Sequence, residues 1–357
     1  MKPDVHIIGA GLIGLSTADS LLDRGERVVI WDRAPAPGMG ASFSNGSLLH
    51  PSQAAPWIVD GLSEDLDEAT RDELTANGLE LAARSGDRVT RRISELGLPA
   101  RKLGVMQVFN TSEARDARLE AYARMGTLAE PGDWFGHSAI NIPGDSMADA
   151  RAYSARLAED LAERGAEFRM CADVGLAESG RGLVITCGAE RETVGRIVVA
   201  AGNATAKLIK GLGLDLPVMG VAGHALSFLR NDDLADLPAV MHADSRSAMT
   251  VLGREVRLSG TVGLDSPGDL LPIWRELVPD LIEELGQPRR AWTGHRPCTP
   301  DGRPIMGPTP IDGLYVNTGH AHMGWTLCAG AGELVAEDVV AGRAHTPSRD
   351  AEMVPAR

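Results

Sequence analysis

The stretch that most restricts the fold is the start of the chain, where Asp4-Val5-His6-Ile7-Ile8 runs directly into Gly9-Ala10-Gly11-Leu12-Ile13-Gly14. Val5, Ile7 and Ile8 read as a buried strand, and Leu12, Leu15, Ala18 and Leu22 recur at helical spacing until Gly25. A second apolar run, Arg27 to Trp31, ends on Asp32, eighteen residues past Gly14. Strand, glycine turn, helix, strand and carboxylate in that order form a dinucleotide fingerprint. Gly9 permits the turn, Gly11 lets the backbone approach a pyrophosphate, and Gly14 lets helix and strand close up. The free N–H groups at the helix start attract the anion. An acid at position 32 suits an unphosphorylated ribose hydroxyl, which favours FAD or NAD over NADP.

The 357 residues suggest two domains of ordinary size. A formal net charge of -14 repels phosphate backbones and argues against a nucleic-acid partner. The basic run Arg88 to Arg92 reads as a solvated helix face. Cys171, Cys187, Cys298 and Cys328 are scattered without a C-x-x-C pair, which argues for reduced thiols, a cytoplasmic location and no metal site. The first strand begins at residue 4, which leaves no room for a signal peptide, and no apolar run reaches the length of a membrane span.

Beyond Asp32 comes a proline- and glycine-rich loop, then the small polar segment Ala41-Ser42-Phe43-Ser44-Asn45-Gly46-Ser47. Such residues allow close passage along a flat polar cofactor, or form a surface loop. Residues 63 to 95 read as an acidic, Arg-rich helical insertion after Trp57, 103 to 109 as a strand, 113 to 125 as a helix and 130 to 145 as a long loop. Asp149 can cap a helix that Gly165 ends. Short strands follow to Ala200, where Ala201-Gly202 again permits close approach. Residues 217 to 263 are β-rich, with a strand expected over Val256 to Val262, and then a helical segment holds Leu271, Trp274 and Leu277. The stretch Trp292 to Gly302 reads as turn-rich, and Leu314 to Asn317 as a strand. A glycine- and histidine-rich loop then leads into a final helix of small residues.

Two late motifs carry a resemblance: Trp292-Thr293-Gly294-x-Arg296-Pro297-x-Thr299-Pro300-Asp301-Gly302, and Asn317-Thr318-Gly319-His320-x-x-x-Gly324-Trp325-Thr326. Behind the nucleotide fingerprint, they make the chain similar to the bacterial FAD-dependent D-amino-acid dehydrogenases, within the wider group of glycine and sarcosine oxidases. The resemblance implies an α/β protein with a Rossmann-like FAD-binding domain assembled from discontinuous segments (1–55, 146–215 and 290–357). It also implies an α+β substrate domain with a mixed sheet (56–145 and 216–289).

Fingerprint and resemblance together place Gly9, Gly11, Leu12, Ile13, Gly14, Asp32 and Arg33 at the cofactor. Ala41, Ser42, Asn45, Gly46, Ser47, Val174, Ala201 and Gly202 join them, as do Trp292, Gly294, Gly319, His320, Gly324, Trp325 and Thr326. The implied chemistry is oxidation of a Cα–N bond to an imine, with hydride passing to flavin N5 and water completing a 2-oxo acid and ammonia. By position Arg296 holds the substrate carboxylate, or else serves as a structural arginine bonded to turn carbonyls.

The chain departs from the family at several points. It carries Ala222-Gly223-His224 where Lys-Gly-Tyr is usual, His50 where a small polar residue stands, and Ala321-His322-Met323 where Gly-Thr-Leu does. The three histidines could give the pocket positive charge in mild acid, or one neutral imidazole could take a proton from the substrate ammonium. Cys298 is offset from the cysteine that tethers flavin in sarcosine oxidases, so the FAD is expected to be non-covalent. The electron acceptor stays open between oxygen, a quinone and a carrier. An oxygen-using oxidase of glycine, sarcosine or another secondary amine shares these motifs. A non-catalytic flavoprotein subunit is the reading of another class.

Overall fold

The computed structural model describes residues 4–56, 66–180, 182–230, 237–260, 264–344 and 354–355. Trp57, residues 63–65 and the end of the strand expected at Val256 to Val262 lie outside the described residues.

Five strands of the first sheet are parallel neighbours, in the order Leu314–Thr318, Arg196–Val199, Val5–Ile8, Val28–Trp31 and Glu167–Arg169. Ile305–Pro308 adds an antiparallel edge. The sequence reason is plain in the strand Val28–Trp31, whose four residues are all apolar and all buried. Strands covered on both faces need continuous rather than alternating apolar residues. The helix Leu12–Asp23 leaves the tip of the first strand and is buried along most of its length. It is covered in turn by the last helix, Gly324–Ala341, and by the long helix Glu68–Glu95. Small residues make this stack possible. A Cβ on Gly332 would stand 2.6 Å from the backbone of Ser16, and one on Gly330 would stand 2.9 Å from the carbonyl of Leu81.

The long helix corrects two expectations. The resemblance places residues 56–145 in the substrate domain, yet this helix sends Val89 and Ile93 into the core of the first sheet's helical layer. Its basic run is not a solvated face, because Arg88 is buried and reaches Asp19 and Asp23 at 2.6 Å each. Arg92 pairs with Asp19 and Asp160, while Arg91 beside it is exposed. A buried arginine beside carboxylates keeps its charge because its terminal N–H groups exchange water for charged hydrogen bonds.

The second sheet has eight strands, with Arg290–Cys298 at one edge and Glu130–Trp134 at the other. Met219–Leu229 pairs antiparallel with Arg290–Cys298 and with Glu255–Gly260, while Ala239–His242 runs parallel to Val105–Phe109, so the sheet is mixed. Two segments read as irregular are therefore strands. Residues 130–142 form a hairpin that turns at Phe135 and Gly136, both at positive φ. The stretch from Trp292, read as turns from its glycine and prolines, lies within an edge strand, where a missing N–H can face outward. It also takes residues 290–298 out of the grouping 290–357. The α/β class and the mixed second sheet are as expected. Asp149 caps the helix Ala150–Glu163 by accepting from Arg151 and Ala152 N–H.

Candidate active site

A cavity of about 670 Å³ opens where the strand tips of the first sheet meet the edge of the second. Its floor is the glycine turn. Gly9 has φ 116, and a Cβ there would stand 2.4 Å from the carbonyl of Ala200; a Cβ on Gly14 would stand 1.9 Å from the carbonyl of Gly9. Only glycine fits either place. Gly11, Leu12 and Ile13 line the cavity at the helix start, and the N–H of Leu12 is met by Ser42 Oγ at 3.1 Å. Asp32 closes the turn, with Oδ2 accepting from Ala10 N at 2.7 Å and Oδ1 from Ala34 N at 2.8 Å. Each carboxylate oxygen keeps a further lone pair for a ribose hydroxyl.

Arg33, Ala41, Asn45, Val174, Ala201, Gly202, Gly324 and Trp325 line the same cavity. Along the edge strand, the less exposed Trp292, Gly294 and Arg296 alternate toward it, and His295 and Pro297 also reach its lining near the strand end. Five lining residues carry a buried polar atom without a partner: Ser44 Oγ, Trp292 Nε1, Arg296 Nη1, Asn317 Oδ1 and both ring nitrogens of His320. Unpaired buried polar atoms cost about 1 to 3 kcal/mol each, so a cluster of them around one cavity marks a place built for a polar ligand. A flat dinucleotide with many donors and acceptors fits that description.

Other expected residues support the cavity without lining it. Gly46 packs on Ser259, and Ser47 is tied to Arg257 Nη1 at 3.1 Å. Gly319, at φ 82, turns the chain against Thr299, while Thr326 Oγ1 accepts from His50 N at 3.1 Å.

The four expected catalytic residues divide. Arg296 reaches the cavity, and no carboxylate among the described residues pairs with it. Burial alone draws its guanidinium down to about 10. His322 also lines the cavity, and its Nε2 lies 3.2 Å from the carbonyl of Gln53. An acceptor at Nε2 puts the ring proton there and makes Nδ1 the basic nitrogen. His50 stands behind it, with ring centres 5.8 Å apart. His224 is a correction: it does not line the cavity, and its ring bonds Thr293 Oγ1 at 3.0 Å and the carbonyl of Leu264 at 3.2 Å. Its neighbour Gly223 takes the cavity face, and side chains alternate along a strand.

Burial holds the remaining imidazoles neutral, His50 lowered to about 3 with help from His322, and His322 to about 4. The hydrogen bond to Gln53 opposes the shift at His322, while Arg296 and Arg246 add to it. A pocket made positive by histidine in mild acid is therefore not what this arrangement gives.

The family model described as FAD dependent oxidoreductase matches residues 4–338. The chain belongs to this family. Among curated relatives of this FAD-dependent oxidoreductase, the D-amino acid dehydrogenase of Xanthobacter autotrophicus is 32% identical, with 95% of this chain and 96% of that protein covered. That of Methylobacterium nodulans is 31% identical over the same shares. Glycine oxidase from Geobacillus kaustophilus superposes with a TM-score of 0.79 at 25% identity, covering 96% of this chain and 95% of that one. Iminodiacetate oxidase from Chelativorans sp. BNC1 shares the fold, with a TM-score of 0.78 at 22% identity and 97% of each chain covered. The protein is an FAD-dependent amino-acid oxidoreductase.

Sequence reasoning missed the supports of the oxidoreductase site. Buried Asp145 accepts from Ser52 Oγ and Ser52 N, and burial pushes its carboxyl up to about 6. Gln53 Nε2 donates to Tyr122 OH at 2.6 Å, which donates to Gln107 at 2.7 Å. These bonds fix the Pro51–Gln53 turn whose carbonyl meets His322. Asp145 and Tyr122 lie far from Ser52 in sequence, so no spacing rule could have joined them.

Proposed function

We propose that this chain binds FAD non-covalently and oxidises the Cα–N bond of a D-amino acid, giving an imine that water hydrolyses to a 2-oxo acid and ammonia. The observation that carries it is Arg296, half-buried at the wall of the cavity, with its Nη1 buried and no carboxylate partner among the described residues. A substrate carboxylate would complete the missing pair, and a two-point guanidinium grip fixes Cα in one orientation.

FAD, held by the glycine turn, Asp32 and the start of the last helix, supplies the hydride acceptor. Every other task falls to the chain. Arg296 binds and orients the carboxylate. His322, neutral and with Nδ1 basic, accepts a hydrogen bond from the neutral substrate amine, whose extra proton has passed to solvent water. His50 and the Pro51–Gln53 turn hold that ring in place. Cys298 is buried, absent from the cavity lining, and its thiol is pushed up to about 11, which supports a non-covalent cofactor. Among the described residues no helix is long and apolar enough to cross a membrane. A cytoplasmic location rests on the four free thiols.

The test is anaerobic mixing of the holoenzyme with D- and L-amino acids, glycine and N-methylglycine while flavin absorbance is followed. Bleaching by D-amino acids supports the reading; bleaching only by glycine or secondary amines moves it to the oxidase alternative that the glycine oxidase likeness favours. No bleaching by any amine leaves the non-catalytic subunit.

A further inference from the structure

Asp145 stands just before the strand Ser146–Ala148 and is 1% exposed, although no cation pairs with it among the described residues. Both of its oxygens are directed at one residue: Oδ1 accepts from Ser52 N at 3.2 Å and Oδ2 from Ser52 Oγ. Ser52 Oγ accepts in turn from Gln53 Nε2 at 3.2 Å, and the same amide donates to Tyr122 OH at 2.6 Å. The backbone of Gln53 is held as well, with its N–H on the carbonyl of His50 at 3.0 Å and its own carbonyl facing His322 Nε2 at 3.2 Å. Asp145 is thus joined to the ring at the cavity wall through Ser52 and Gln53 alone.

The protonation state of Asp145 decides whether this chain of bonds can stand. An ionised carboxylate only accepts, and Ser52 offers it two donors; a carboxylic acid must itself donate through one oxygen. The acid hydrogen and the Ser52 hydroxyl hydrogen then compete for the line between Oδ2 and Oγ, so the hydroxyl has to turn and the Pro51–Gln53 turn loses one of its ties. The Gln53 carbonyl loses its fixed aim at Nε2. An imidazole without that acceptor populates both neutral tautomers, and the one with hydrogen on Nδ1 cannot accept from an amine.

We propose that Asp145 is a positioning residue: ionised, it holds the Pro51–Gln53 turn so that the hydrogen of His322 stays on Nε2, and protonated, it lets that hydrogen shift to Nδ1. The consequence for catalysis rests on the functional reading above, in which Nδ1 of His322 meets the substrate amine. Burial pushes the Asp145 carboxyl up to about 6, against the two Ser52 bonds that favour its ionised form. The other groups facing this turn titrate elsewhere. Burial lowers His50 to about 3 and His322 to about 4, and raises the phenol of Tyr122, over whose ring the Arg118 guanidinium lies at 5.8 Å. A transition of the turn near pH 6 therefore belongs to Asp145.

Nitrogen-15 NMR of the substrate-free holoenzyme, labelled at histidine, reads the tautomer directly, with the His322 signals assigned by their loss in His322→Thr. The parent should carry hydrogen on Nε2 at pH 8 and show both tautomers at pH 5. Asp145→Asn, which keeps the shape but cannot ionise, should show both at either pH. In anaerobic mixing at saturating D-amino acid, Asp145→Asn should bleach its flavin about fivefold more slowly at pH 8, the equivalent of one ordinary hydrogen bond, and should lose the fall in rate near pH 6 while half-saturation is unchanged. Ser52→Ala keeps the backbone donor and serves if Asp145→Asn fails to fold. It should move the fall in rate to higher pH, because the lost hydroxyl favours the ionised carboxylate. A His322 tautomer indifferent to both pH and Asp145→Asn, or a pH profile unmoved in Ser52→Ala, overturns the proposal. A tautomer switch without bleaching by any amine would instead overturn the amine-oxidation reading and leave the hold of Asp145 on the ring standing.

Discussion

A Cβ built on Gly223 would stand 1.8 Å from Nη1 of Arg296, so the arginine reaches the cavity only because residue 223 has no side chain. Gly223 pairs across the strands with Gly294, where a Cβ would stand 3.2 Å from Nε1 of Trp292, so the two glycines make room for the guanidinium and for the indole in turn. Gly223→Ala should therefore behave as a partial Arg296→Leu. Losing one partner of a shielded charge pair costs about 2 to 5 kcal/mol, so Arg296→Leu should lower kcat/KM for amino acids by that equivalent and leave the flavin spectrum nearly intact. Unchanged kcat/KM in Arg296→Leu would remove the arginine from substrate binding.

Asp32 serves the turn and the ribose together. Asp32→Ala should fold but hold less flavin, because Ala10 and Ala34 N–H lose their acceptor and the ribose loses its own. Flavin content after dialysis at low FAD concentration measures this, and full occupancy would refute the assignment.

The histidines should separate by face. His322→Thr and His50→Ala should alter substrate preference or the pH dependence of anaerobic bleaching. His224→Phe, whose ring is bonded to Thr293 and Leu264, should change stability alone. A shift in substrate preference in His224→Phe, with no change in the other two, would reverse their proposed roles.

Stability should fall in acid. His50, His320 and His322 stay neutral in the folded chain down to about 3, about 3 and about 4, whereas unfolded histidine protonates near 6.5. Between those values the unfolded state binds more protons, so stability is lost as pH falls from about 6.5 toward 4. Asp145 opposes this, because its carboxyl is raised to about 6 and the folded state takes up that proton first. Three groups outweigh one. Urea unfolding of the flavin-free protein should show a lower midpoint at pH 5 than at pH 7, and His50→Asn should reduce the difference. Equal midpoints in the parent would show that these rings are solvated.

Gly332→Ala tests the helical stack. Its methyl group would stand 2.6 Å from the backbone of Ser16, so the last helix must shift or separate from the first. Overpacking of this kind costs about 1 to 3 kcal/mol, and thermal unfolding should show the loss with little change in the long helix's own ion pairs. An unchanged Tm would mean that the helices are not pressed together there.

By itself the sequence determined what depends on neighbours in the chain. Gly9, Gly11 and Gly14 are legible because a turn, a close approach and a helix contact each exclude a side chain within a few residues of one another. The cap at Asp149 and the continuous apolar strands are legible for the same reason. Arg296 was legible only through a resemblance of motifs. The tertiary structure decided the rest, because it joins segments that have no local signature of their partners. Residues 290–298 are a strand because Met219–Leu229 lies alongside them, which outweighs their glycine and prolines. Arg88 points inward because Asp19 waits on another helix. Strand alternation turns His224 away and admits Gly223. His320, Ala321 and His322 separate two cavities because the long helix closes a second one behind a turn already committed to the first.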